Sequence, residues 1–506
     1  MKLSAWDRFT RMIAPRWAAR RIAARAASHV VRSYDAAQRG RRTANWTRQF
    51  GDVNRILAAA LVELRAHSRD LVRNNGWAKN GQRTIANNTA GWGIVPRAID
   101  DRSGRAAQLW KAWAGTTECD AEGRLTFAGI QHLAMKAIAE SGEILIRRRF
   151  RRPTDGLTIP LQLQVLEADF IDTSKDGIDG PAGPIICGVE FDRLGRRAAY
   201  WLFEAHPGSN QSTGISRRVP ASEILHVYYT ERPGQVRGIS WFGAAIVPLK
   251  DFDEYEDAEL VRQKIAACFA AFVTDLDGSG SAIGEEDADD SEIETFEPGM
   301  VEYLTPGKDV KFANPPTVQE GTFSARTLRR IAAALGVTFE DLTGDYSQVN
   351  FSSARMSRLK HWGNVYDWQF NMLIPLLCDG VWRWAMETAV MAGELDAVPL
   401  ADWTVPPMPM IEPDKEGLAY QRLVRNGVMT PSDMVRERGG DPAAHWAEYA
   451  EDQKLLDSLG IKLDCDVRAV SAAGLTQERA GGSSETEKEA ERMALEIARR
   501  RLEITR

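Results

Sequence analysis

Two stretches of helical periodicity bracket a segment of this 506-residue chain that can continue neither of them. Pro248 opens the first, since the N–H that proline lacks would be unpaired in a first helical turn anyway. Val261, Ile265, Cys268, Phe269 and Phe272 recur along it at three- and four-residue spacing, which predicts one helix over 248–274. Thr322, a good N-cap, opens the second, and Leu328, Ile331 and Leu335 share one face of a helix over 322–336. Residues 275–321 between them are polar and punctuated by Gly and Pro, with strand-like pieces at 300–304 and 310–312. The pattern predicts a small α/β module carried on a two-helix stalk.

The rest of the chain reads as α+β. Residues 41–247 begin helical, with Gly76, Gly81, Gly91 and Gly93 expected to break the helices and Trp110 and Trp113 expected in a core. Strand signals follow: Glu143 to Phe150, a turn at Asp155 and Gly156, then 157–167, and a hairpin around Arg193-Leu-Gly195. Short turns between adjacent strands predict antiparallel pairing. In 337–352, Thr338-x-x-Asp341 resembles a capping box and 344–350 reads as a polar loop. Residues 353–460 read as helices, the first carrying Leu359, Trp362, Tyr366, Phe370 and Leu373 on one face up to Pro375. Thr430-Pro431-Ser-Asp433 starts a later helix that Gly439-Gly440 stops. The arginine-rich 1–40 read as a basic arm, and 461–506 as a charged tail.

Composition excludes more than it assigns. No apolar run approaches the ~20 residues of a membrane span, so no membrane partner is expected. Five cysteines lie far apart without a C-x-x-C pair, which argues against a disulfide framework or zinc ribbon. There is no H-E-x-x-H, no G-x-S-x-G and no phosphate-binding loop, so no enzyme is expected. A nuclease would need carboxylates clustered for Mg²⁺ in a fold core. Here ten acids and no Lys or Arg crowd one segment between Asp275 and Glu297. Asp287, Asp289, Asp290, Glu292 and Glu294 would make an acidic wall that repels phosphates instead of releasing their counterions. The alternative is a solvated loop facing outward.

Two other charge patterns stand out. Arg147, Arg148, Arg149, Arg151 and Arg152 end a strand, and alternation sends them to both faces. Asp275, Asp277, Ser279 and Glu286 hold positions 1, 3, 5 and 12 of a calcium-loop spacing, with Gly280 at position 6. Ala282 at position 8 and the lack of an exit helix count against calcium, and a flexible acidic loop is the other reading.

Several segments together resemble the lambda-type portal proteins of tailed phages. They are HSRDLVRNN at 67–75, VEFDRLG at 189–195, RPGQVRGISW at 232–241, EPGMVEYLTPG at 297–307 and FANPP at 312–316. LRRIAAALGVTFEDL at 328–342, DYSQVNFSSAR at 345–355, PDKE at 413–416 and NGVMT at 426–430 continue the order. The resemblance implies a portal fold: a helix-rich wing and crown, antiparallel strands in the wing, a two-helix stem and a small α/β clip at 275–321. It implies a homo-oligomeric ring, usually of twelve, around a channel for double-stranded DNA without sequence preference. Gly344, Asp345, Tyr346, Ser347, Gln348, Val349 and Asn350 would form the tunnel loop facing that DNA. The expected partners are the large terminase, whose ATPase supplies the energy, a neck or head-tail adaptor, and the major capsid or scaffold protein. No cofactor is required, with Ca²⁺ as an optional ligand. The expected place is the virion's portal vertex, after assembly in the bacterial host cytoplasm. The rival readings are another neck or baseplate ring component, or a phage DNA-processing nuclease.

Overall fold

A computed structural model describes residues 51–101, 103–267, 271–275, 308–312, 320–461 and 463. The chain divides into units 1–59 and 60–506, and the described part of the first, residues 51–59, holds the opening turns of helix α1 (Val53–Asn74). The basic arm, the charged tail beyond 463 and most of the 275–321 segment lie outside the described residues.

Asn75 begins helix α2 (Gly76–Thr89), its Oδ1 accepting from the Trp77 and Ala78 N–H groups at 3.0 Å. Gly76 and Gly81 therefore lie inside a helix that the sequence reading broke. Packing explains the glycine: a Cβ on Gly81 would stand 2.8 Å from Cδ1 of Leu335. Strand β1 (Val95–Ala98) and helix α3 (Arg105–Ala114) follow, then helix α4 (Phe127–Ser141). Trp110 and Trp113 are buried as expected. Trp110 meets Trp113, Phe127 and Trp382 with ring centroids 5.1–5.6 Å apart, and Trp113 Nε1 donates to the Leu161 carbonyl.

Two antiparallel sheets follow, as the short turns predicted. Strand β2 (Glu143–Phe150) is central in the first, between β3 (Leu161–Glu167) and β9 (Ile224–Tyr228). The second is a five-strand meander of β4 (Ile178–Asp179), β5 (Pro184–Ile186), β6 (Val189–Phe191), β7 (Arg197–Phe203) and β8 (Ser216–Pro220). Ile144 and Ile146 of β2 belong to the large core, whereas Leu145 belongs to a smaller core beneath the meander. On that second face Arg147 pairs with Glu223, and Arg149 and Arg151 donate to Gln164 and Gln162. Arg148 turns the other way, over the rings of Phe150 and Trp384.

The stalk departs from the sequence reading in two places. Helix α5 runs from Ile246 to Ala267, with Pro248 in its first turn, and does not reach 274. Ala271–Asp275 is instead strand β10, paired antiparallel with β11 (Lys308–Phe312), Ala271 opposite Phe312 and Asp275 opposite Lys308. A short apolar run satisfies helix and strand periodicity alike, and here a partner strand 33 or more residues away decides. Val261, expected on an apolar stripe, is 53 % exposed, while Leu249 and Phe252 bury that helix. Helix α6 (Glu320–Leu335) returns beside α5, and Leu328, Ile331 and Leu335 enter the large core as predicted.

Helix α7 (Phe339–Thr343) is short, and helix α8 (Phe351–Trp368) starts two residues before Ser353. It continues past Pro375 as a π-helical turn, Gln369–Cys378, into α9 (Asp379–Met391). Pro375 lacks the N–H that an α-ladder needs there, and the helix widens to π spacing around it instead of ending. Residues 353–460 are not purely helical: β12 (Ala401–Thr404) pairs with β1, joining this region to the start of the described chain's α+β part. Helices α10 (Pro413–Arg425), α11 (Pro431–Glu437) and α12 (Pro442–Leu459) complete the described residues, α11 with the capping box read at Thr430 and Asp433. No helix among them is long and apolar enough to cross a membrane.

Candidate functional site

The loop at 344–350 is held by its own polar groups. Thr338 caps α7 by accepting from Asp341 N–H, and Gly344 ends it in the left-handed region (φ +71°), which a side chain resists. The Ser347 N–H donates to Asp345 Oδ1 at 2.9 Å, and these bonds to Ser347 hold the Asp345 carboxyl below its usual range. Asn350 then caps α8 through Ser353 N–H at 2.9 Å. Helix α7, which leads into the loop, is pinned by Asn80 Nδ2, which donates to the carbonyls of Asp341 and Leu342. Asp345, Tyr346, Ser347, Gln348 and Asn350 are exposed, and Val349 is half-buried. Such a surface offers one carboxylate, hydroxyls and amides to a polyanion, and no cation of its own.

The stalk that carries the inserted module stands on the same core. Phe252 and Tyr255 of α5 stack at 6.2 Å, and Tyr255 meets Phe323 of α6 at 4.7 Å. The acidic wall at Asp287, Asp289, Asp290, Glu292 and Glu294 lies outside the described residues, as do Asp277, Ser279 and Glu286 of the calcium spacing. Asp275 ends strand β10, so the entering helix of a calcium loop does not lead directly into it.

The sequence reading missed a buried polar hub. Glu143, at the start of β2, is wholly buried and receives Arg237 Nη2 at 2.5 Å and Arg65 Nη2 at 3.1 Å. His226 Nε2 stands at 2.8 Å and Gly238 N–H at 2.7 Å. Burial would push the carboxyl up, but the Arg237 charge and the His226 hydrogen bond outweigh it and hold Glu143 far below the carboxylate range. Burial lowers His226 to about 4, so its ring is neutral near pH 7. Arg197 Nη1 faces its Nδ1 at 3.3 Å, which assigns Nδ1 as acceptor and Nε2–H as the donor to Glu143. Arg237 also donates to the Cys187 and Ala168 carbonyls, so one guanidinium ties β2 to the meander. Ser68 and Ser240 hydroxyls meet at 2.7 Å beside it.

These groups come from positions 65, 68, 143, 226, 237 and 240, too far apart for any spacing rule. The one usable signal was that HSRDLVRNN and RPGQVRGISW both place polar residues beside apolar ones, and the fold brings the two together. Gly238 is required there, since a Cβ would lie 2.2 Å from the Gly142 carbonyl oxygen.

Among the described residues, Glu167, Asp169 and His206 come close enough to hold a metal ion. Arg69 Nη2 already bridges the two carboxylates, at 2.8 Å and 2.6 Å. The arrangement supplies its own cation. Cys119, Cys187 and Cys378 are buried free thiols, and burial pushes Cys119 up to about 12.

The hub is a structural junction, the stalk bears an inserted module, and the exposed loop follows directly in the chain. The family model described as phage portal protein, lambda family, matches residues 39–369. The chain is 28% identical to the "Probable portal protein" of Halomonas phage phiHAP-1 over 475 residues, covering 88% of this chain and 91% of that protein. It is 24% identical to portal protein B of Escherichia phage lambda over 360 residues, covering 63% and 67%. Among solved structures it is similar to a chain from the neck of an empty gene transfer agent particle, with 17% identity and a TM-score of 0.46 over 76% of this chain and 94% of that one. The order of motifs, the stalk with its inserted strands and the extent of the match agree: the chain belongs to the lambda family of phage portal proteins.

Proposed function

We propose that this chain is a structural ring subunit, about twelve copies of which surround a channel for double-stranded DNA at the capsid neck. The observation that carries this reading is the α5–α6 stalk, rooted in the core by Leu249, Phe252, Leu328 and Ile331 and extended by the β10–β11 pair. A stalk of this kind can project a module away from the body, as a channel wall requires. The loop at 344–350 faces DNA in this reading. Its amides, hydroxyls and single carboxylate brush phosphates without neutralising them, so the duplex slides instead of being gripped.

The chain is a passive partner. It carries no phosphate-binding loop, so a large terminase supplies the ATP-driven work. The 275–321 module meets a neck or head-tail adaptor, and the body meets the capsid or scaffold protein. The test is imaging and native mass of the purified chain. A ring with an axial hole is expected, whereas a monomer that cleaves DNA with Mg²⁺ overturns the reading.

A further inference from the structure

Helix α8 has two apolar faces, and the described residues cover only one of them. The sequence reading set Leu359, Trp362, Tyr366, Phe370 and Leu373 on a single face, but the fold divides them. Trp362, Val365 and Trp368 enter the large core, with His361 buried beside them. With Val365 at the centre of that face, a helix turning about 100° per residue sets Met356, Leu359, Gly363, Tyr366 and Phe370 about 100–180° away from it. These five follow the alternating three- and four-residue spacing of a helix that packs lengthwise on another. Met356, Leu359, Tyr366 and Phe370 are 68 %, 49 %, 45 % and 52 % exposed. The Tyr366 and Phe370 rings meet at 6.3 Å, so the stripe continues past the end of α8. Beside it opens a cavity of about 310 Å³ lined mainly by apolar side chains, Leu359, Met408, Ile411, Tyr420 and Leu423 among them. Gly363 stands in the middle of the stripe. Glycine weakens a helix interior relative to alanine, and Gly81 is accounted for by Leu335 pressing against it. At Gly363, nothing among the described residues lies within 4 Å of the place a Cβ would take. The notch opens outward.

We propose that this stripe is a permanent contact between adjacent copies of the chain, with a helix of the next subunit packing across Gly363. The inference rests on the ring reading above and deepens it by naming one of the surfaces. Another backbone can come close only where the facing residue is small, which gives the glycine its reason. Leu359 and Tyr366, on either side of it, then enclose the crossing point. The chemistry selects the occupant. Contacts that stay closed are more apolar than those made and broken, and the stripe carries no charged residue. A partner that docks only after the ring has formed would leave this surface in water during assembly, whereas a neighbouring copy covers it from the start. A closed ring also needs two different patches per subunit. The chain has a second aromatic face on α12, where Trp446 and Tyr449 are exposed, three residues apart, with ring centroids at 5.9 Å.

The test uses the full-length chain, with native mass and negative-stain imaging for assembly and thermal unfolding for the fold. Gly363→Leu fills the notch, where its own subunit leaves room for a Cβ. Leucine is the better helix former, so the unfolding midpoint of the unassembled chain should hold or rise. Ring population should fall at least about tenfold, because a close contact does not accept the added bulk. A ring that persists shows that nothing packs at the notch, and a midpoint that drops shows that the glycine serves its own subunit. Either result overturns the contact and leaves the ring reading intact. In a second measurement, the assembled Tyr366→benzoylphenylalanine form is irradiated. A covalent product of two chain masses is expected, joined to a part of the other copy outside its α8. A product of one chain mass, or one that joins α8 to α8, overturns the contact. A wild-type chain that forms no ring in the same experiment overturns the ring reading as well.

Discussion

The Glu143 hub and the loop at 344–350 are both polar, and they are built in opposite ways. In the hub every donor comes from a distant part of the chain, and the receiving carboxylate is wholly buried. In the loop nearly every bond closes within a few residues, and the side chains face outward. Buried polar networks are costly to break, because a lost partner leaves a charge without water or counter-charge. Exposed local turns cost little to change, since solvent replaces what is lost. The hub therefore holds the first sheet and the meander in one arrangement, and the loop is free to be shaped by what it touches.

The comparison breaks most readily at Glu143. Glu143→Ala leaves Arg237 buried without a carboxylate and Arg65 with only Asp169, and a loss on the order of 3–5 kcal/mol is expected in denaturant unfolding. A loss below about 1 kcal/mol would show that the hub does not hold the sheets together. Gly238→Ala probes the same junction while keeping every charge, and the clash with Gly142 is expected to cost about 1–3 kcal/mol in denaturant unfolding.

Acid sharpens the contrast. His226 is neutral in the fold, with its pKa lowered to about 4 from 6.5, so the unfolded chain binds more protons between those values. Stability present above pH 6.5 is lost as pH falls through about 4, on the order of 3 kcal/mol if nothing rearranges. Glu143 adds to the loss once pH falls through its ordinary value of 4.5, because its pKa is lowered too. Melting midpoints between pH 7 and 4 should fall in wild type, and His226→Gln should flatten that slope.

The loop is expected to yield smaller effects. Asn350→Ala removes the cap of α8 and should cost about 1 kcal/mol, read by thermal unfolding. Tyr346→Ala with Gln348→Ala should change stability by less than about 0.5 kcal/mol and leave ring formation intact, while altering DNA packaging or retention in assembled particles. If that pair unfolds the protein instead, the loop is part of the frame and the contrast fails.

The hub and the stalk also differ in how they could be read from sequence. Helix α6 was legible because Leu328, Ile331 and Leu335 recur with the helical period, and the hairpin at 193–195 because Gly195 supplies its left-handed turn. The loop at 344–350 was legible as a loop from its run of polar residues, while the Asn350 cap that ends it was not. Each of these depends on neighbours within a few residues. The strand at Ala271–Asp275 was not legible, since its identity rests on pairing with Lys308–Phe312. Nor was the helical place of Gly81, which depends on Leu335 across the core.

What the sequence by itself determined is therefore the local layer: caps, turns, apolar faces, and a polar segment set between two helices. The order of motifs, read with that layer, was enough for the family. Tertiary structure alone decided which groups converge on Glu143, and that Tyr255 of α5 meets Phe323 of α6. The physical reason is one of range. Periodicity and capping act over one or two turns of chain, whereas a buried charge is satisfied only when residues as far apart as Arg65 and Arg237 are folded to the same carboxylate.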